Sequence, residues 1–318
     1  MEKIRGDKVA TTKIKINNVD ITEDVEVLDA KVIDKAIGID LLDVTLSNRN
    51  NDWKRWNIEE DDTIELEKDG FKTGVMYVNI IRIHNGRCIL KASSLKREHR
   101  ILNTYTLENT TLNKIAETTA TAVNMQLETY NLSNFEYERI DCVDESYISF
   151  LTKRGMLEGY NVKVANNKII MYNVKEFEAK RAIETFDRAD FIGEFELSRN
   201  NLETYSKCKM YCYPTATNAA SGTVEYTDAK VKGGSLITPK IKISNLAEGQ
   251  RFSKNILEYK NRNYINIYFK VESKNNLAGS SVVEVKDIGR YSGRYFIEQI
   301  QQDMFNNVSY ILARKLED

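Results

Sequence analysis

Over most of this chain, apolar positions alternate with polar ones in short runs, the period of half-buried β-strands. Lys13-Ile-Lys-Ile16 alternates strictly, and Leu42-Asp-Val-Thr-Leu46 puts its apolar set on one face. Val25 to Ile33, Thr63 to Glu67 and Val75 to Ile83 continue the pattern, and Cys88 to Ala92 returns from the last of them. Asp69-Gly70 and Asn85-Gly86 lie between such runs. Both dipeptides tolerate the positive φ of a tight hairpin turn. Asn48-Arg-Asn-Asn-Asp-Trp53 reads as a polar turn closed by an aromatic. Strands this short, joined this tightly, predict a small barrel or sandwich over residues 1–102.

The period then lengthens. Leu112, Ile115, Ala116, Ala120 and Val123 form an apolar stripe at helical spacing, with Asn109, Thr110 or Thr111 as the cap. A second helix is predicted from about Asp144, as N-cap, to Glu158, with Ile148 and Leu151 inward and Gly159 as the stop. Tyr160 to Val164 and Lys168 to Tyr172 flank Asn166-Asn167 and predict a hairpin. Residues 103–188 therefore read as a small α+β unit.

Strand patterning resumes near Phe191, with Glu194 to Ser198 and Tyr205 to Tyr213. Pro214 to Gly222 is small and polar, the composition of a loop tip. Asn245 and Glu248 form a capping-box pattern for a helix reaching about Tyr259, which Gly249 weakens by about 1 kcal/mol relative to Ala. From Tyr264 onward the pattern is strand again. Val282 to Val285 leads into a corner with Gly289 and Gly293. Phe296, Glu298 and Ile300 then alternate with Ile297 and Gln299, and Tyr310 to Leu316 closes the chain. The expected fold class is α+β, predominantly β: two β-barrel units, 1–102 and 189–318, flank the small unit, and the second carries an insertion at about 214–262.

Composition narrows the function. Lys and Arg number 46 against 47 Asp and Glu, a net charge of −1, without the basic excess typical of a nucleic-acid binder. The N-terminal residues lack the apolar run of a signal peptide, and no apolar run has the length of a membrane span. The expectation is a soluble protein made in the cytoplasm, with reduced thiols.

Catalytic chemistry has little to stand on. Cys208 and Cys212 are the only close cysteines, and in a strand they share a face but lie too far apart to bridge. Cys88 and Cys142 are scattered, and the two histidines, His84 and His99, form no ligand cluster. Glu59-Glu60-Asp61-Asp62 could imitate a pair of glycosidase carboxylates, but so dense a run reads as a solvated turn. Phosphate-binding glycine motifs are absent. The reading is therefore no enzyme, no catalytic residue, no metal and no cofactor.

Three segments carry a resemblance. Leu42 to Trp53, Asp144 to Tyr160 and Leu277 to Leu316 occur in the order seen in contractile-tail baseplate hubs, the late-control D family of phage tails and tail-like bacteriocins. Gly289-Arg-Tyr-Ser-Gly-Arg-Tyr-Phe-Ile297 resembles the glycine corner and closing strand of that family. The resemblance implies two tail-tube-like barrels. It further implies a homotrimeric adaptor between a sixfold tail tube and a threefold central spike, with other baseplate components and the tape measure as neighbours. DNA would cross the lumen only in a phage. Thr215 to Lys242 has no counterpart in the family. The alternative function is a tail-tip protein that binds or degrades cell wall.

Overall fold

The computed structural model describes residues 12–212, 222–231, 233–241 and 243–317. The chain is predominantly β, and its largest sheet contains 14 strands. The main path of that sheet runs from Glu196–Arg199 through Ile265–Glu272, Val308–Lys315 and Gly293–Asp303 into Val27–Lys35. It continues through Leu41–Asn48, Gly86–Ser93 and Met76–His84 to Thr63–Lys68, Lys13–Ile16 and Val19–Asp20. Among the described residues this path does not close on itself. One pairing joins the two ends of the sequence: Gly293–Asp303 runs antiparallel to Val27–Lys35, with Ile300 opposite Asp34 and Gln302 opposite Val32.

Inward residues follow the alternation read from the sequence. Ile14, Val32, Leu42, Val44, Leu46, Ile64 and Leu90 fill an N-terminal core. Ile267, Phe269, Ile297, Ile300 and Ile311 fill a C-terminal one. The turns are those expected: Asp69-Gly70 and Asn166-Asn167 hold positive φ at both positions, and His84 pairs with Arg87 around Asn85-Gly86. Asn48 Oδ1 accepts the Trp53 N–H at 3.0 Å, which closes the polar turn.

Residues 103–188 contain helices Leu112–Ala122 and Tyr147–Leu157. Their sheet adds Gln126–Tyr130, parallel to Lys168–Asn173, to the predicted hairpin. Thr111 is the first helix's cap, accepting from Lys114 N. Asp144 does not cap the second. It lies at positive φ inside the strand Glu136–Glu145, which pairs with Asn103–Thr111 as far as Glu145, so the helix starts late and Ser146 caps it. Gly159 at φ +84 ends that helix as expected.

Tyr205–Cys212, just before the expected insertion, forms a small sheet with Gly222–Thr227 and Ser235–Ile237 of the insertion, covered by helix Leu246–Asn261. Two of these strands lie within Thr215 to Lys242; most of Pro214 to Gly222 lies outside the described residues. Cys208, Met210, Phe252 and Leu257 of this sheet and helix share one apolar cluster with Leu112, Leu151, Val162 and Met171 of the middle segment.

A bulge between Ile297 and Gln299 breaks the simple alternation expected there. Ile297 and Ile300 both enter the C-terminal core, whereas Phe296 enters a separate cluster with Ala36, Tyr172, Val282 and Leu316. The extra residue lets Tyr295 and Ile297 on one side of the bulge and Ile300 on the other face the same core, while Phe296 points to the opposite face.

Candidate interaction surface

Eight antiparallel strands of the large sheet, from Glu196–Arg199 to Met76–His84, present one face inward to the two cores. Their other face forms rows of opposed side chains that cross from one half of the chain into the other. One row runs Lys270, Tyr310, Gln301, Ile33, Leu41. The next runs Asp303, Lys31, Asp43, Lys91, Ile80. A third runs Glu196, Tyr268, Leu312, Gln299, Lys35.

The charges in these rows are paired. Lys91 lies 2.8 Å from Asp43, and Lys31 lies 3.2 Å from Asp29. The Asp29 hydrogen bond lifts the Lys31 ammonium above its ordinary pKa. Burial acts to raise the Asp303 carboxyl, but hydrogen bonds from Asn306 and Phe305 and the charge of Lys31 outweigh it and hold it low. Beside this alternating ladder stand aromatic and aliphatic groups. Tyr268 and Tyr310 stack at 6.5 Å, Lys270 sits 5.4 Å above the Tyr310 ring, and Tyr268, Leu312 and Ile80 are exposed.

Both lateral edges of this face are open. Glu196–Arg199 has one strand neighbour. Met76–His84 pairs with Thr63–Lys68 only at Tyr77 and Met76, which leaves Ile80 to His84 with Gly86–Ser93 alone among the described strands. Unpaired edges present backbone N–H and C=O groups with which another chain can pair.

The residues weighed for chemistry are dispersed. Cys208 and Cys212 lie on one buried face of their strand, and burial pushes the Cys208 thiol up to about 11. His84 is at an exposed strand end, whereas the His99 side chain is largely buried and burial lowers its pKa. The acidic run Glu59 to Asp62 is a turn: Asp62 accepts from Glu59 N and Asn17 Nδ2, and Asp61 accepts from Arg97 N. Among the described residues no group of three or more His, Cys, Asp or Glu side chains is placed to hold a metal ion. No described helix is long and apolar enough to cross a membrane.

The sequence reading missed the continuity of this face. Its signal lay in pairs such as Lys31 and Asp43, or Gln301 and Ile33, but strands that distant in sequence give no local mark of which neighbour they take.

Neither a protein-family model nor a curated protein matches the chain by sequence. Solved structures do match by fold. The prophage MuSo2 43 kDa tail protein from Shewanella oneidensis superposes with a TM-score of 0.74 at 11% identity, over 96% of this chain and 98% of that one. A tail protein from Neisseria meningitidis MC58 gives 0.73 at 12% identity, over 96% of each chain. The E. coli c3393 protein, a type VI secretion system component with structural similarity to the T4 tail proteins gp27 and gp5, gives 0.58 at 10% identity, over 96% of this chain and 77% of that one. The chain has the fold of phage tail and tail-like proteins.

Proposed function

We propose that this chain is the structural hub of a contractile injection system: a homotrimer on the baseplate axis that joins a sixfold tail tube to a threefold central spike. The observation that carries this reading is the eight-strand face that runs without a break through the Gly293–Asp303 and Val27–Lys35 pairing. Each half of the chain contributes four of its strands, so one subunit offers two tube-like units side by side. Three subunits then offer six, which matches a sixfold tube above while the assembly keeps threefold symmetry below.

The same arrangement accounts for the open edges. Around a threefold axis, Glu196–Arg199 of one copy meets Ile80 to His84 of the next. The sheet, open in one chain, closes into a ring. With neighbouring strands about 4.8 Å apart, eight strands from each of three copies give a ring of roughly 40 Å diameter, wider if the strands tilt. The paired charges and the Gln, Tyr and Ile side chains then line the lumen.

The layout that goes with this function is two tube-like units, residues 1–102 and 189–318, around the α+β unit 103–188, with the insertion at about 214–262. The neighbours are the tube protein, the spike protein and other baseplate components. The role is structural rather than enzymatic, and the particle is assembled from protein made in the bacterial cytoplasm. The test is co-production with the tube and spike proteins of the same particle, followed by native mass measurement. The expected species has three copies of this chain on one spike; a single copy bound at the periphery sinks the proposal.

A further inference from the structure

Three segments remote in sequence meet at one buried cluster of charge. Asp34 comes from the strand Val27–Lys35, Asp40 from the turn that follows it, and Lys163 from the strand Tyr160–Ala165 of the middle unit. The Lys163 ammonium pairs with Asp34 and lies 3.6 Å from Asp40 Oδ1. Asp40 and Lys163 are both buried. A fourth group arrives from the C-terminal half: the Gly279 N–H donates to Asp34 Oδ1 at 2.9 Å.

The backbone around the cluster is equally interlocked. Asp40 Oδ1 accepts from Lys35 N at 3.1 Å. Ser94 Oγ accepts from Asp40 N and donates to the Val164 carbonyl at 2.5 Å. Gly38–Ile39 pairs in parallel with Lys163 and Val164. Gly279 has no room for a side chain, since a Cβ there would lie 2.4 Å from the Lys35 carbonyl carbon. The cluster is thus the point where the N-terminal sheet, the middle unit and the C-terminal loop are fastened together.

Its charges do not balance. Two carboxylates share one ammonium, so the buried site carries a surplus negative charge when both are ionised. The charged groups across the adjoining cavity do not supply the deficit. Lys13 and Lys15 stand opposite Glu67 and Glu65, and Lys72 pairs with Glu67 at 3.6 Å. Lys180, also on the lining, sits over the Phe177 ring.

We propose that the Asp34–Asp40–Lys163 cluster is a proton-dependent latch, closed while Asp40 carries a proton and loosened when Asp40 ionises beside Asp34. Burial, and then the neighbouring Asp34 charge, push the Asp40 carboxyl up to about 7, against the pull of Lys163. A carboxyl whose pKa is higher in the fastened state than in the open one binds its proton more tightly there. The latch therefore gains strength as pH falls from above 7 towards the ordinary carboxylate range, and weakens as pH rises through 7. Asp34 is strand partner to Ile300, in the one pairing that joins the two halves. Loosening there frees the loop at Gly279 and the angle between the halves. The inference stands on this junction and does not depend on the hub reading.

Hydrogen exchange of the full chain between pH 5.5 and 8.5, corrected for intrinsic rates, tests it. The amides of Gly279 and Lys35 are expected to lose protection by at least about tenfold on going to pH 8.5, while Val44 in the N-terminal core changes little. Asp40→Asn keeps the acceptor and removes the charge, and its Gly279 and Lys35 amides are expected to stay protected throughout. In Lys163→Met the loss of protection is expected to continue to higher pH before it levels off, because no cation helps Asp40 ionise in the fastened state. Equal protection of the wild-type amides at both pH values, or the same loss in Asp40→Asn, overturns the latch.

Discussion

Gln301 lies directly opposite Ile33 in an antiparallel ladder, although 267 intervening residues separate them in the sequence. That pairing makes the first and last parts of the chain one sheet. It also gives the molecule an outer face longer than either half could build.

Removing an inward group at this seam should destabilise the chain; removing an outward one should not. Ile300 is fully buried in the C-terminal core. Ile300→Ala is expected to cost about 2–5 kcal/mol in urea denaturation, from lost burial and the cavity left behind. Leu312 lies on the outer face and is partly exposed. Leu312→Glu is expected to change stability by no more than about 0.5 kcal/mol, yet to lower the yield of assembled tail tips.

The insertion is held to the middle unit by a charged pair. Arg251 donates twice to the Glu158 carboxylate, at 2.9 and 3.1 Å, and Tyr137 donates to it at 2.9 Å. The Glu158 side chain is fully buried. Burial raises its pKa despite the opposing pull of Arg251. Arg251→Met strands that carboxylate and is expected to cost about 3–5 kcal/mol. The double variant with Glu158→Met should recover much of the loss in the same denaturation experiment.

Gly279 faces backbone rather than a movable side chain: a Cβ would lie 2.4 Å from the Lys35 carbonyl carbon and 2.5 Å from the Ala36 nitrogen. Gly279→Ala is expected to cost about 1–3 kcal/mol by overpacking, read from the thermal midpoint. Gly86 has open space but a φ of +79, so Gly86→Asn, with a residue type that tolerates this conformation, should cost less.

All four cysteines are buried, and none is joined in a disulfide. Burial pushes both Cys88 and Cys208 up to about 11. A thiol reagent at pH 8 is expected to find essentially no reactive cysteine in the folded chain and all four after denaturation. Rapid labelling of Cys88 or Cys208 in the folded chain would contradict the burial described.

Local elements were largely legible in the sequence, because turns and strand alternation are set by neighbours. Asp69-Gly70, Asn166-Asn167 and the Thr111 cap follow from residue types that favour positive φ or accept a backbone N–H. The strand Glu136–Glu145 was hidden, since Glu-Tyr-Glu-Arg-Ile-Asp-Cys-Val-Asp-Glu lacks a clean apolar alternation and the strand is held by its partner Asn103–Thr111. The bulge at Ile297 and Gln299 was hidden too, because plain alternation sets Ile300 with Phe296, whereas the fold places it with Ile297 in the C-terminal core. No pattern within either half announced that Gly293–Asp303 would pair with Val27–Lys35. The candidate surface is made of that pairing, so it could be read only from the fold.

The most direct measurement is a reconstruction of the assembled tail tip at side-chain resolution. The account predicts three copies of this chain around the central axis. Tyr268, Leu312 and Ile33 should face the lumen, and Glu196–Arg199 of each copy should lie beside Ile80 to His84 of the next. Six copies, or a position away from the axis, would contradict it and leave a peripheral baseplate role in its place.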